Sequence, residues 1–305
     1  MLGELQQQAA TDPLNVGTLL SWMSAHGQAA EARAWAANLP APITQVPVVA
    51  LRLAEANLRL ADWAALESLT KDAQWGDVEI LRLAFLCRAL RETGQEDAAA
   101  IQWRAALANA KKNPSILPQT TDMLAAWGWG KERRELLWVA ADLSKEVGWA
   151  LRSLYQDYMA AGETNNLLRV ATKMAELEPK SPDVQNNVAC LLLLLNRHAV
   201  TPFATDSAFV SARDLYQRFP TDPRYVSTYA YALHVRGNSA EALKIMQTLR
   251  QEQLAEPATA LYYGVLLSAR GEVAEAAKYL ALAAGNAKLL PEEKQLLEEA
   301  RLAAR

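Results

Sequence analysis

Residues Thr228–Leu249 read TYAYALHVRGNSAEALKIMQTL, and residues Leu261–Ala283 read LYYGVLLSARGEVAEAAKYLALA. The two segments lie in phase. Each is an apolar run broken by a glycine, Gly237 or Gly271, with a small residue seven positions before the break (Ala230, Gly264) and an alanine five positions after it (Ala242, Ala276). Apolar side chains recur three and four residues apart on both sides, which is the period of one helix face. Glycine interrupts a helix cheaply because it enters the left-handed conformation without a Cβ clash. Each segment therefore reads as a helix, a tight turn and a second helix, crossing where small side chains let the backbones approach.

Working outward, the break recurs at Gly27, Ala61, Gly94, Gly130, Gly162, Asn196, Gly237 and Gly271, at intervals of 34, 33, 36, 32, 34, 41 and 34 residues. Ala54, Cys87 and Ala189 take the small position before the break, and Ala32 and Ala99 the position after it. Proline and aspartate cluster where one unit ends and the next begins, at Pro13, Pro114, Pro179, Pro223 and Pro257, because proline cannot continue a helix interior. Units are expected to begin near residues 13, 47, 80, 116, 148, 182, 223 and 257. The fourth, Ile116 to Leu143, places Met123 at the small position and Glu135 where alanine belongs, so a wider crossing is expected. In the sixth, RHAVTPFATDSAFVS follows Asn196 before a second helix resumes at Ala212, which predicts an insertion near residues 197–211 that forms an enlarged loop or a short extra helix. The last segment, PEEKQLLEEARLAAR, opens on Pro291 and two acids and reads as a capping helix over residues 291–305. The first, LGELQQQAATDP, reads as the tail of a second helix whose partner is missing, so the chain is expected to be the C-terminal part of a longer protein.

Composition agrees with an all-α class. Hydrophobic residues make up 51% of the 305 residues and charged ones 21%, while Gly and Pro number 13 each, so apolar surface is ample and linker material scarce. A net charge of −3 gives no field that would gather phosphate backbones, and nucleic acid is not expected as a partner. The wholly apolar run Val188–Leu195 covers two helical turns, short of the roughly 20 residues that span a bilayer. Three histidines, His26, His198 and His234, stand far apart without a metal-binding spacing, and phosphate loops and nucleophile elbows are missing, so neither catalysis nor a cofactor is expected. Cys87 and Cys190 sit in separate apolar stretches and read as buried free thiols, which fit a reducing compartment without requiring one. Most of the nine tryptophans are expected in the core.

The period and its packing residues resemble the tetratricopeptide repeat family, in particular bacterial arrays of such repeats. That resemblance implies one right-handed α-solenoid of about eight helix-turn-helix units over residues 1–305, with Trp103 packed between two helices. It implies a non-enzymatic scaffold that holds a partner protein or peptide in a concave groove lined by the first helix of each unit. Its rival is a non-catalytic accessory part of a larger enzyme or of a secretion or polysaccharide-assembly protein. In the family's carboxylate-clamp mode, basic and amide side chains of three consecutive units receive a peptide's free C-terminal carboxylate. The matching positions here are Arg152, Gln156, Asn187 and Arg224; Thr228, where the pattern has a cation, departs from it.

Overall fold

The structure, a computed structural model, describes residues 2–143, 148–198 and 203–303. It divides into two compact units, Met1–Ser144 and Lys145–Arg305. The first carries α1 (Leu2–Ala9), α2 (Pro13–Ala25), α3 (Ala29–Ala36), α4 (Ala41–Thr44), α5 (Pro47–Arg59), α6 (Trp63–Thr70), α7 (Glu79–Glu92), α8 (Glu96–Ala110), α9 (Leu117–Ala126) and α10 (Gly130–Leu143). The second carries α11 (Gly148–Ala161), α12 (Thr164–Leu177), α13 (Pro182–Asn196), α14 (Phe203–Arg218), α15 (Pro223–Val235), α16 (Ser239–Met246), α17 (Gln251–Leu254), α18 (Pro257–Ala269), α19 (Val273–Ala284) and α20 (Pro291–Ala303). Among the described residues there is no strand, and no helix is long and apolar enough to cross a membrane.

Helix starts follow local chemistry. Pro13, Pro47, Pro182, Pro223, Pro257 and Pro291 each open a helix, where a missing amide proton costs nothing. The Asp12 and Asp222 carboxylates cap their helices by accepting from Leu14 N at 3.1 Å and Arg224 N at 3.0 Å. The turns between paired helices share one geometry. Gly27, Gly94, Gly128, Gly162, Gly237 and Gly271 all have positive φ, from 67° to 81°. The amide after each such glycine closes the helix by donating to the carbonyl five residues back, as from Asn238 to Leu233 at 2.9 Å and from Glu272 to Leu267 at 3.0 Å.

Two sequence expectations are corrected here. The fourth break falls at Gly128, with φ 73°, whereas Gly130 already begins α10. The intervals on either side of it are then 34 and 34 residues instead of 36 and 32. The small position becomes Thr121, which is buried, and the position after the break is Arg133, so Met123 and Glu135 no longer occupy these places. In the sixth pair the second helix begins at Phe203, nine residues before Ala212. Ala208, buried like Ala212 and Leu215, stands 29 residues before the break at Gly237, as Ala242 does before Gly271 and Ala99 before Gly128. Residues 203–211 are therefore helix with a packed face and no loop; residues 199–202 lie outside the described residues.

The small residues sit at helix crossings. Ala32, Ala54, Cys87, Ala99, Ala230, Ala242 and Ala276 are all fully buried. At Gly264 a Cβ would stand 2.8 Å from Leu280 Cδ2 and 3.1 Å from the Leu280 amide nitrogen, so α18 and α19 approach more closely than any side chain allows. In the first unit Trp75, Trp103 and Trp129 are buried, whereas Trp22 is 47% exposed and stacks on His26. The Arg88 guanidinium lies over the rings of Trp63, Trp127 and Trp129 at 5.4 to 5.9 Å, and Arg91 lies over Trp129 at 4.2 Å. These aromatic faces are taken by the chain's own cations.

Candidate functional site: the first-helix face of the second unit

Within the second unit α13 packs along α15 and α15 along α18, so consecutive first helices form a continuous face. The C-terminal helix α20 caps the last pair by packing on α18 and α19, and it also crosses this face to α13. Its sequence explains the fit. Glu293, Leu296, Leu297 and Ala300 recur at three and four residues and form one helix face. Leu296, Leu297 and Ala300 are buried, as are Leu289 and Leu290 in the connection before them.

Polar contacts fix the orientation. Pro291 sits against the turn glycine Gly162, its Cγ 3.3 Å from where a Cβ would be. The Thr164 hydroxyl donates to Glu292. The Tyr262 hydroxyl donates to Glu293 Oε1 at 2.8 Å, and the Leu290 amide donates to Glu293 Oε2 at 2.9 Å. Arg197 pairs with Glu299 at 3.0 Å, and the Ser268 hydroxyl donates to the Ala300 carbonyl at 2.9 Å. Thr164 and Glu292 are 128 positions apart, so these contacts are tertiary throughout.

A cluster of titratable groups lies beneath the helix. Burial pushes the Glu293 carboxyl above its usual range, although the Leu290 amide and the Tyr262 hydroxyl oppose the shift. Burial also pushes the Cys190 thiol up to about 12, with the Glu293 charge adding to it; Cys190 Sγ stands 3.5 Å from the Tyr262 hydroxyl. Tyr155 is pushed up to about 12 for the same reason, and Tyr262 well above 10. Two further groups are only partly used. The Tyr231 hydroxyl and Arg197 Nη1 are buried beside one another, and among the described residues neither bonds to α20.

Beyond the N-terminal end of α20 the face stays open. A cavity of about 520 Å³ is lined by Tyr155, Gln156 and Met159 of α11 and by Lys288, Pro291 and Lys294. Of the residues matched to a carboxylate clamp, only Gln156 lines this cavity. Arg152 is exposed one turn earlier on α11, its guanidinium over Gly148. Asn187 is half-buried on α13. Arg224 is held by Asp183 at 2.6 Å and Asp222 at 2.8 Å, and it lies over the Tyr225 ring. Thr228 is buried and donates to the Arg224 carbonyl at 3.0 Å.

No family model matches the chain, and no curated protein matches it. Among solved structures it is similar to a tetratricopeptide repeat protein from Parabacteroides merdae, at 16% identity and a TM-score of 0.42 over 84% of this chain and 97% of that one. It is also similar to the TPR2AB domain of yeast Sti1 in complex with pHSP90, at 13% identity and a TM-score of 0.30 over 99% of both chains. A third likeness is to yeast Tom70, at 12% identity and a TM-score of 0.36 over 99% of this chain and 57% of that one. These likenesses are distant, and the class follows from the chain's own geometry. Helix pairs joined mostly by left-handed glycine turns, repeating about every 34 residues with small residues at several crossings, make an all-α array of helix-turn-helix units. A helix-turn-helix unit of this length resembles the tetratricopeptide repeat.

Proposed function

We propose that the chain is a non-catalytic protein-interaction scaffold, and that the first-helix face of its second unit holds a segment of a partner protein. The observation that carries this reading is α20 itself. It is an amphipathic helix seated across α18 and α13, anchored by hydrogen bonds from Tyr262, Thr164 and Ser268 and by the Arg197 ion pair. A face that seats one helix with both apolar and charge-assisted contacts has the chemistry to seat another.

Arg152 and Gln156, both exposed on α11, are the side chains of the clamp pattern that stand ready for a peptide carboxylate. Arg224 joins only by giving up Asp183 and Asp222. The reading is tested by placing the photo-crosslinker p-benzoylphenylalanine at Gln156, and separately at Lys278 on the second helix α19. A partner captured from Gln156 and not from Lys278 is the expected result. Adducts from Lys278 alone would place the docking surface on the opposite face and overturn the proposal.

A further inference from the structure

The contacts of α20 define what a partner must carry. On this helix one carboxylate meets the Tyr262 hydroxyl, a second meets the Thr164 hydroxyl and a third meets Arg197, while two leucines and an alanine fill the apolar strip between them. The seat is also imperfect. Among the described residues the Tyr231 hydroxyl, in a side chain 1% exposed, and Arg197 Nη1, in a side chain 7% exposed, make no hydrogen bond with α20 and have only one another in reach. Buried polar groups left unpaired weaken an interface. A helix with an acceptor in reach of both would bind this face better than α20 does.

Resting on the reading that this face docks a protein segment, we propose that α20 is a built-in occupant which an acidic amphipathic helix of a partner replaces. The partner helix carries a carboxylate one turn before a pair of leucine-like side chains and a second carboxylate at the turn after them, as α20 does with Glu293, Leu296, Leu297 and Glu299. The occupied groove is the closed state. Displacing α20 frees Tyr262, Cys190 and Arg197 for the incoming helix.

Cys190 supplies the readout, because it lies in contact with Tyr262 beneath Glu293, and Cys87 is the only other cysteine. Full-length Cys87→Ala is compared with Cys87→Ala, Leu297→Glu, which places a charge in the apolar strip of α20 and leaves the groove untouched. The probes are a synthetic peptide of residues 288–303 and the same peptide with Glu292, Glu293 and Glu299 replaced by glutamine. The Leu297→Glu protein is expected to keep its helicity, to react with Ellman's reagent at Cys190 at least tenfold faster, and to bind the acidic peptide with restored thiol protection. Its Cys87→Ala parent should bind that peptide at least tenfold more weakly, since α20 competes.

Unchanged thiol reactivity with no peptide binding would overturn displacement. Equal affinity for the acidic and glutamine peptides would overturn the acidic partner while leaving a helix-docking groove. A folded, thiol-reactive variant that binds neither peptide would overturn both readings. If Leu297→Glu fails to fold, a protease site placed at Asn286 of the Cys87→Ala protein replaces it. The nicked protein should exchange α20 for labelled acidic peptide, and a nicked protein that retains α20 against excess peptide would show α20 to be a permanent part of the core.

Discussion

Enlarging Gly264 attacks the register of the repeat at its tightest point. A Cβ there would lie 2.8 Å from Leu280 Cδ2, 2.9 Å from Leu280 Cγ and 3.1 Å from the Leu280 amide nitrogen. Carbon atoms settle at about 3.5 to 4.0 Å, so even a methyl group overlaps by several tenths of an ångström. Leu280 is fully buried and cannot swing into solvent, and its amide nitrogen moves only with α19. Two effects compete in Gly264→Ala. Alanine gains about 1 kcal/mol of helix propensity, while overpacking costs about 1 to 3 kcal/mol, so a small net loss is expected. Gly264→Leu enjoys a similar propensity gain but must place three more carbons in the same crossing. Its net loss should be about 2 kcal/mol or more. For a unit of this size that lowers Tm by about 4 to 8 °C. The assay is thermal unfolding by circular dichroism, with hydrogen exchange localising the loss to α18 and α19. An unchanged Tm and unchanged exchange for Gly264→Leu would refute the crossing, and with it the register.

Ala61 adopts φ 52° at the one break in the first unit that lacks glycine, so Ala61→Gly should stabilise that unit by about 1 kcal/mol in urea unfolding. Burial holds the Cys87 and Cys190 thiols at about 11 and about 12, so at pH 8 Cys87 should react with Ellman's reagent only when the protein unfolds, and Cys190 only when α20 leaves its seat. Burial pushes the His234 imidazole, bonded to the Ser239 hydroxyl at 2.9 Å, below its ordinary 6.5. The unfolded chain then binds the proton first. The second unit should therefore lose stability as pH falls from 6.5 toward the lowered value, and the loss should vanish in His234→Gln, as followed by urea midpoints between pH 7 and 5.5.

The fold class was legible because most repeats write at least one of two facts into the sequence, a turn residue and a small residue at the crossing. The fourth break was misplaced because Gly128 and Gly130 flank Trp129, and composition alone favours neither. The even interval of 34 residues was the signal for Gly128. The start of α14 was read too late because Pro202 suggests a loop, yet proline is as much at home at a helix start, and the alternation of Ala208, Ala212 and Leu215 already had a helical period. The seat of α20 was not legible. Its acids and leucines mark an amphipathic helix, but which surface it covers depends on how α11, α13 and α18 converge, and no local pattern encodes a contact between Thr164 and Glu292. The matched clamp residues were chosen by register alone. Register does not show that Asp183, on the preceding first helix, already holds Arg224.

The first-helix face of the second unit is the proposed docking surface. Hydrogen exchange of the Leu297→Glu protein, with and without the peptide of residues 288–303, reports on that face helix by helix. Protection gained on α13, α18 and α19 and at the α11–α12 turn around Gly162, with α16 unchanged, is the predicted result. Protection confined to α16, or no change on any first helix at saturating peptide, would contradict it.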